Sequence, residues 1–467
     1  MEKKNFYITT PVYYANAQPH IGHAYTTIAA DVIIRFKKAL GINTFLLTGM
    51  DEHGAKIAQK AREDNLTPQE LVDGISDDFK NLWKRLGINY DVFTRTTETR
   101  HKKFIQDAVQ KLYDQGIIYK GKYEGKYCVG CEQFKNESDL VNGKCPDHNT
   151  EPEIMSEESY LMKMGEQQKW LINAIKNDDF KIRPERYKNE ILAFLENNKL
   201  EDLSISRKNV EWGIPLPFDE NHTVYVWFDA FLSYVTGAKF WPSDINLIGK
   251  DILRVHATIW PIILKHLELD ISKGLFVHGH ILSEGKKMSK TLGNVISIDE
   301  MLEKFGKDGT RYLLLSAGNF GEDVDVTMKR LTEKYNADLA NGLGNLVSRV
   351  ITLISKSKVK NQESEAGESK AVFSDEFTGL IQNFRLDKAV EHIWKIVREA
   401  NKHIEETKPW ELAKSDEDTF EKVMTKLITD LDKISRLLQS FMPETAEKIK
   451  QQLKTREKEI LFERIKE

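Results

Sequence analysis

The sequence predicts an α/β fold: a parallel sheet split by an insertion and followed by an α-helical bundle. Three observations predict it. Short apolar runs alternate with amphipathic helical patterns from Phe6 to Gly116, the rhythm of a parallel sheet covered on both faces. That rhythm breaks from about Ile117 to Pro217 and then resumes. After Asp299, helical periodicity dominates to the end.

The first strand is read at 6–10. Behind it, apolar residues recur helically after His23 at Ile28, Val32, Ile33 and Phe36, with Gly41 as a stop. Between strand and helix lies His20-Ile21-Gly22-His23. A helix N-terminus at this point offers unpaired N–H groups and a partial positive charge, so two imidazoles on a glycine turn there make a phosphate-stabilising site. Further strands are read at 44–48 and 91–94, and helices at 55–64 and 68–86. Together they make a Rossmann-like first half, 1–116.

The insertion, 117–223, holds all three cysteines of the chain. Cys128 and Cys131 are followed, after thirteen residues, by Cys145 and His148. Two such pairs on tight turns, eased by Gly130 and Gly143, supply four tetrahedral ligands, which suits one structural Zn2+ per chain. A redox pair or surface thiols is the other reading of the same residues. An acidic strip at 151–158 and a helical stretch at 167–198 complete the insertion. Strands then resume at 224–227, 246–249 and 275–278, giving the second half of the sheet at 224–280. Such a sheet places its site at the carboxyl ends of strands from both halves.

A second short word, Lys287-Met288-Ser289-Lys290-Thr291, lies on a Ser- and Gly-flanked loop within 281–332. The helical region, 333–467, carries patterns at 333–354, 377–406 and 419–453, and the Lys-, Glu-, Ser- and Gly-rich strip 356–370 reads as a mobile loop. The 467 residues carry a net charge of −4, so any RNA contact needs a local basic face. Lys329, Arg330, Lys334, Arg349, Lys356, Lys358 and Lys360 form either that face or a solvated helix face. No run reaches the ~18 to 20 apolar residues of a membrane span, and Met1-Glu2-Lys3-Lys4 leads straight into strand-like sequence. A cytoplasmic protein is expected.

Taken together, the two words resemble the HIGH and KMSKS signatures of class I aminoacyl-tRNA synthetases. The order of further pieces resembles the methionyl-tRNA synthetases from the first strand to about Trp410. They are Pro11-Val12-Tyr13-Tyr14-Ala15-Asn16, Asp51-Glu52-His53-Gly54, Trp227-Phe228-Asp229-Ala230, Gly249-Lys250-Asp251, His256 with Trp260, Asn345 with Arg349, and Lys408-Pro409-Trp410. Thr291 stands where the family more usually has serine and keeps the hydroxyl.

The resemblance implies an ATP-dependent ligase that activates L-methionine as methionyl-adenylate, with Mg2+, and transfers it to tRNA(Met). His20, His23, Lys287 and Lys290 would be catalytic, and Gly22, Gly249, Met288 and Ser289 would join them around ATP. Val12, Tyr14, Asp51, Trp227, Ala230, Tyr234, Ile252, His256 and Trp260 would bind methionine, with Asp51 facing the ammonium and rings facing the thioether. The 281–332 region would contact the tRNA stem. Asn345, Arg349 and Trp410, the last on a loop between helices, would read the anticodon. A monomer is expected, since no dimerisation domain follows the helices. Other class I synthetases, for leucine, isoleucine, valine or cysteine, are weighed against by the missing long editing insertion and by the compact metal window. A nucleotidyltransferase or a non-catalytic RNA-binding paralogue is weighed against by the intact lysine word and the helical region.

Overall fold

The computed structural model describes the chain except residues 1–4, 130–132, 136–139, 147–148, 209, 289–293, 358, 360–372 and 467, with backbone alone at 123–124, 133–135, 155–157 and 287. Its centre is a six-stranded, all-parallel sheet. In the first half, β1 (Asn5–Tyr14), β2 (Asn43–Asp51) and β3 (Val92–Arg95) alternate with α1 (Ile21–Ala39), α2 (Ala55–Glu63), α3 (Pro68–Arg85) and α4 (Thr99–Asp114). The sheet runs β3, β2, β1, then the strands Ile245–Gly249, Gly274–His278 and Lys181–Arg183. The chain therefore builds outward in one direction from β1 and later in the other. The crevice at that reversal, between β1 and Ile245–Gly249, is where such sheets bind ligands.

Alternation along the strands divides the interior into two cores. Ile8, Leu46, Leu247 and Phe276 face one, with α1 and α3; Tyr7, Phe45, Leu47, Ile248, Leu275 and Val277 face the other, with α4 and the helices Val226–Thr236 and Leu253–His266. The first core continues without interruption into the C-terminal helices, through Leu313, Val347, Trp394 and Leu431. Helix starts follow local chemistry. Pro68 occupies the first turn of α3, and Thr67 and Glu70 satisfy each other's backbone N–H groups.

Four expectations are corrected. Residues 224–227 are not a sheet strand: Val224 ends the antiparallel strand Asp219–Val224 of a small three-stranded sheet, and Val226 already begins the helix Val226–Thr236. That helix is buried over almost its whole circumference, so its apolar run lacks helical periodicity. Within 167–198, read as helical, Lys181–Arg183 is a strand of the parallel sheet, so the 117–223 stretch is not wholly outside that sheet. The 377–406 pattern is two helices, Asp375–Gln382 and Leu386–Thr407, broken at Phe384 in the left-handed region. The 419–453 pattern is likewise two, Glu417–Leu438 and Pro443–Thr455. Of the strip 356–370, residues 358 and 360–370 lie outside the described residues. Among the described residues, no helix is long and apolar enough to cross a membrane.

One polar group crosses the first core. Arg311, on the helix Ile298–Ser316, is fully buried, with Nη2 2.6 Å from Asp31 Oδ2 on α1. Three more of its N–H groups donate to the carbonyls of Leu86, Ser440 and Phe441. Arg35 also donates to Asp31 Oδ2, at 2.7 Å. Arg311→Ala should cost about 3 to 5 kcal/mol, because it strips a buried carboxylate of its main counter-charge and three carbonyls of their donor. The urea midpoint measures this, and a midpoint equal to that of the unmodified chain would show the pair to be dispensable.

Candidate active site

At the crevice, His20 is the N-cap of α1, with extended backbone. Its Nδ1 accepts from the Gly22 backbone N–H at 3.1 Å, and the His20 backbone N–H donates to His23 Nδ1 at 3.2 Å. The rings stack with centroids 3.7 Å apart. Gly22 permits this: a Cβ there would meet His20 Cε1 at 3.0 Å and Nδ1 at 3.1 Å. Since both Nδ1 atoms accept backbone protons, the neutral rings carry theirs on Nε2 and can donate outward. His23 also packs on Tyr13 and Phe79, at 4.6 and 5.0 Å between centroids. Burial, and after it the neighbouring His20, hold the His23 imidazole well below its usual range, so it stays neutral.

The sequence-assigned methionine residues converge beside this cap. Tyr14 and Asp51 are register partners at the ends of β1 and β2. Tyr234 and His256 meet across two helices, the Tyr234 hydroxyl lying 3.1 Å from His256 Nε2. His256 Nδ1 donates to the Ile252 carbonyl at 2.9 Å, so the hydroxyl donates to Nε2 and the ring is satisfied while neutral. Burial pushes its pKa down to about 4. Trp260 is fully buried against Tyr234, 5.7 Å between centroids. Trp227 and Ala230 lie on the helix of Tyr234, and Val12 and Asp51 both act on the Tyr234 hydroxyl, the first by a backbone hydrogen bond and the second by its charge. The charge of Asp251 in turn reaches His23, His256 and His278. The phosphate side and the apolar side are thus neighbours.

Gly249 ends its strand where a Cβ would lie 2.6 Å from Asp251 Oδ1. Met288 packs partly buried against the first core, and the backbone of Lys286–Lys287 pairs with Leu282 and Ser283. Ser289, Lys290 and Thr291 lie outside the described residues, and so do Cys131 and His148. Cys128 and Cys145 are buried, although residues 141–144, 146 and 149–150 around Cys145 are exposed. Cys145 sits in a tight turn: its N–H donates to Thr150 O, its carbonyl accepts from Asn149 N, and a Val141–Lys144 bridge precedes it. Among the described residues, no group of three or more His, Cys, Asp or Glu is placed to hold a metal ion. Far from the crevice, Trp410 lies in the first turn of the helix Pro409–Ser415, not on a loop, because Pro409 pre-sets that turn. It is 39% exposed, and the Arg349 guanidinium lies 5.4 Å from its ring centroid. Asn345 is exposed one turn before Arg349 on the helix Asn345–Ile354.

Four site residues escaped assignment from sequence. Phe231 stacks with Trp260 at 5.6 Å and meets His256 edge-on at 4.9 Å. Asp229 binds two buried histidines, His53 and His101. The available signal was Asp229 itself, a lone charge in the apolar run Val226-Trp227-Phe228-Asp229-Ala230-Phe231-Leu232.

The family model of tRNA synthetases class I (M) matches residues 6–153 and 137–351. A methionine–tRNA ligase of Clostridium acetobutylicum is 43% identical, over 97% of this chain and 74% of its own length. That of Bacillus subtilis is 39% identical, over 97% of this chain and 73% of its own. Mycobacterium tuberculosis methionyl-tRNA synthetase in complex with methionyl-adenylate superposes with a TM-score of 0.86 at 34% identity, covering 96% of this chain and 93% of that one. The free form of the same synthetase gives 0.78 at 31% identity, over 96% and 92%. The chain belongs to the class I tRNA synthetases, among the methionine–tRNA ligases.

Proposed function

We propose that this chain activates L-methionine with ATP as methionyl-adenylate and transfers the methionyl group to tRNA(Met). The observation that carries the reading is the pair of Nε2–H imidazoles capping α1 beside an aromatic pocket with a carboxylate at its strand end. A methionine carboxylate oxygen attacks the α-phosphorus of ATP, the bond to the bridging oxygen breaks, and pyrophosphate leaves. Negative charge builds on the phosphates, and fixed donors that meet it there lower the barrier. His20 and His23 supply such donors from the cap, and Lys287 and Lys290 supply charge to the departing pyrophosphate. ATP enters as its Mg2+ salt. Asp51 faces the substrate ammonium, while Trp227, Tyr234, His256 and Trp260 face the thioether, with Val12, Tyr14, Ala230 and Ile252 filling the wall.

In the insertion, one Zn2+ held by Cys128, Cys131, Cys145 and His148 would close a structural site, fixing the fold of this segment. Asn345, Arg349 and Trp410 face the tRNA anticodon, an exposed ring beside a guanidinium being a stacking platform for an unpaired base.

Three measurements test these assignments. His23→Asn keeps an acceptor where Nδ1 caps the helix but lacks the Nε2–H. Melting should therefore hold, while adenylate formation slows about a hundred- to a thousandfold; activity within a few-fold of the parent would remove His23 from the phosphate site. Metal analysis of protein purified without added metal should find one zinc per chain, lost in Cys145→Ser, whereas a metal-free parent rules zinc out. Trp410→Ala should remove about 1 to 3 kcal/mol of tRNA recognition and leave methionine-dependent ATP–pyrophosphate exchange intact. If exchange and melting fall along with charging, Trp410 is a packing residue.

A further inference from the structure

Behind the methionine wall lies a closed polar strap with no part in the chemistry derived above. Asp229, in the first turn of the helix Val226–Thr236, is 1% exposed. Its Oδ2 lies 2.7 Å from His53 Nδ1, and its Oδ1 lies 2.6 Å from His101 Nε2. His101, on α4, lies 2.7 Å through Nδ1 from Thr236 Oγ1 at the far end of the same helix. Both rings are buried, at 3% and 1% exposure. An acceptor-only carboxylate fixes its side of the pattern: His53 donates from Nδ1 and His101 donates from Nε2. Burial pushes the Asp229 carboxyl up, but the facing His53 and His101 outweigh it and hold it below the usual range, so it is ionised.

The strap joins two segments that carry opposite ends of one substrate. His53 is two residues after Asp51, in the loop between β2 and α2; Asp229 lies between Trp227 and Ala230. The loop is fixed on its other side as well. Glu52 is fully buried, bound to Arg95 at 2.6 Å and to Ser76 at 2.7 Å, and the Gly54 N–H donates to Trp212 O at 3.0 Å. Loop 51–54 is thus set on α3 and β3 by Glu52, and the Asp229 helix is set on that loop by His53. A carboxylate with two imidazoles adds little net stability over a packed apolar cluster, since desolvation offsets most of the attraction. Its directional bonds hold two elements in register instead.

We propose that Asp229 is a positioning residue for methionine, fixing through His53 and His101 the spacing between the ammonium counter-ion Asp51 and the thioether wall of Trp227, Ala230 and Tyr234. The inference rests on the proposed methionine-activating function. The hydrogen bonds described for the cap join His20, Gly22 and His23, and those of the strap join Asp229, His53, His101 and Thr236, so loss of the strap affects methionine and spares ATP.

The test is ATP–pyrophosphate exchange with methionine and ATP varied separately, on the full chain and on D229N, H53A, H53N and H101Q, with melting recorded for each. Asn and Gln place an amide N–H near the positions of Nδ1 and Nε2 respectively. D229N and H53A should raise KM for methionine about ten- to hundredfold, the worth of a hydrogen bond to a charged group, with KM for ATP unmoved. H53N should restore it, and H101Q should keep it within a few-fold of the unmodified chain. A methionine KM unmoved in folded D229N overturns the strap, as does a parallel rise in KM for ATP, or H53N behaving as H53A. Should D229N fail to fold, the H53A and H53N pair decides between the same outcomes. Absence of methionine-dependent exchange in the unmodified chain overturns the function and the strap with it, whereas normal exchange with an unmoved methionine KM overturns the strap alone.

Discussion

The buried pairing of Arg311 with Asp31 is the constraint on which the remaining architecture hangs. α1 starts at the His20–His23 cap, and Asp31 lies about three turns further along it. Arg311 meets that carboxylate from one side and helix C-terminal carbonyls from the other: Leu86 is the C-cap of α3, and Ser440 and Phe441 follow the helix Glu417–Leu438. A guanidinium is suited to this junction, since helix C-termini present unpaired carbonyls and partial negative charge. Desolvating so many groups is tolerable only when every donor and acceptor is matched, so the junction admits one arrangement of the three elements. The orientation of α1 is therefore set partly by residues more than four hundred positions along the chain.

This explains why the C-terminal helices do not behave as an appendage. Their apolar faces merge with the sheet's first core, and Phe384 at the break between two of them stacks on Phe276 of the sheet at 4.3 Å. Phe276 stacks on Phe320, which contacts Tyr25 on α1. An aromatic series thus runs from the helical region to the turn after the His20–His23 cap.

The fold was legible wherever local chemistry and tertiary packing agreed. The His20 turn and the apolar spacing of α1 each determine their own neighbourhood, and the structure follows them. Legibility failed where burial erased periodicity. The run from Val224 to Trp227 is β-branched and aromatic, and its second half is helical as the opening turn of a helix whose following residues, Phe228 to Tyr234, are buried. Lys181–Arg183 is too short to carry a period of two. The break at Phe384 lacks the glycine that a left-handed residue usually announces. Pro443, by contrast, was a usable sign of a new helix start. In the candidate site, His256 was named through the resemblance as a polar group in an apolar wall, and the structure gives it the Tyr234 hydroxyl and the Ile252 carbonyl as partners. His101 could not be found so: it sits among Thr99, Arg100, Lys102 and Lys103, a composition that reads as solvent-facing, and only the packing of α4 against Val226–Thr236 turns it inward.

The site divides its labour between two kinds of nitrogen. His20 and His23 are held by backbone N–H groups in one tautomer, and His23 is kept neutral by burial, so they offer hydrogen bonds without a standing positive charge. Standing charge at that point would bind ATP and pyrophosphate alike, and uniform binding of this kind does not lower the barrier. Neutral donors fixed by a helix cap need no reorganisation as charge develops, which is where preorganised dipoles are most effective. In the proposed reaction the full charges would come instead from Lys287 and Lys290, distant in sequence from the cap. Under the proposed function the helix start would supply fixed, neutral donors and the lysines formal charge, and neither role requires a group to change protonation state during adenylate formation.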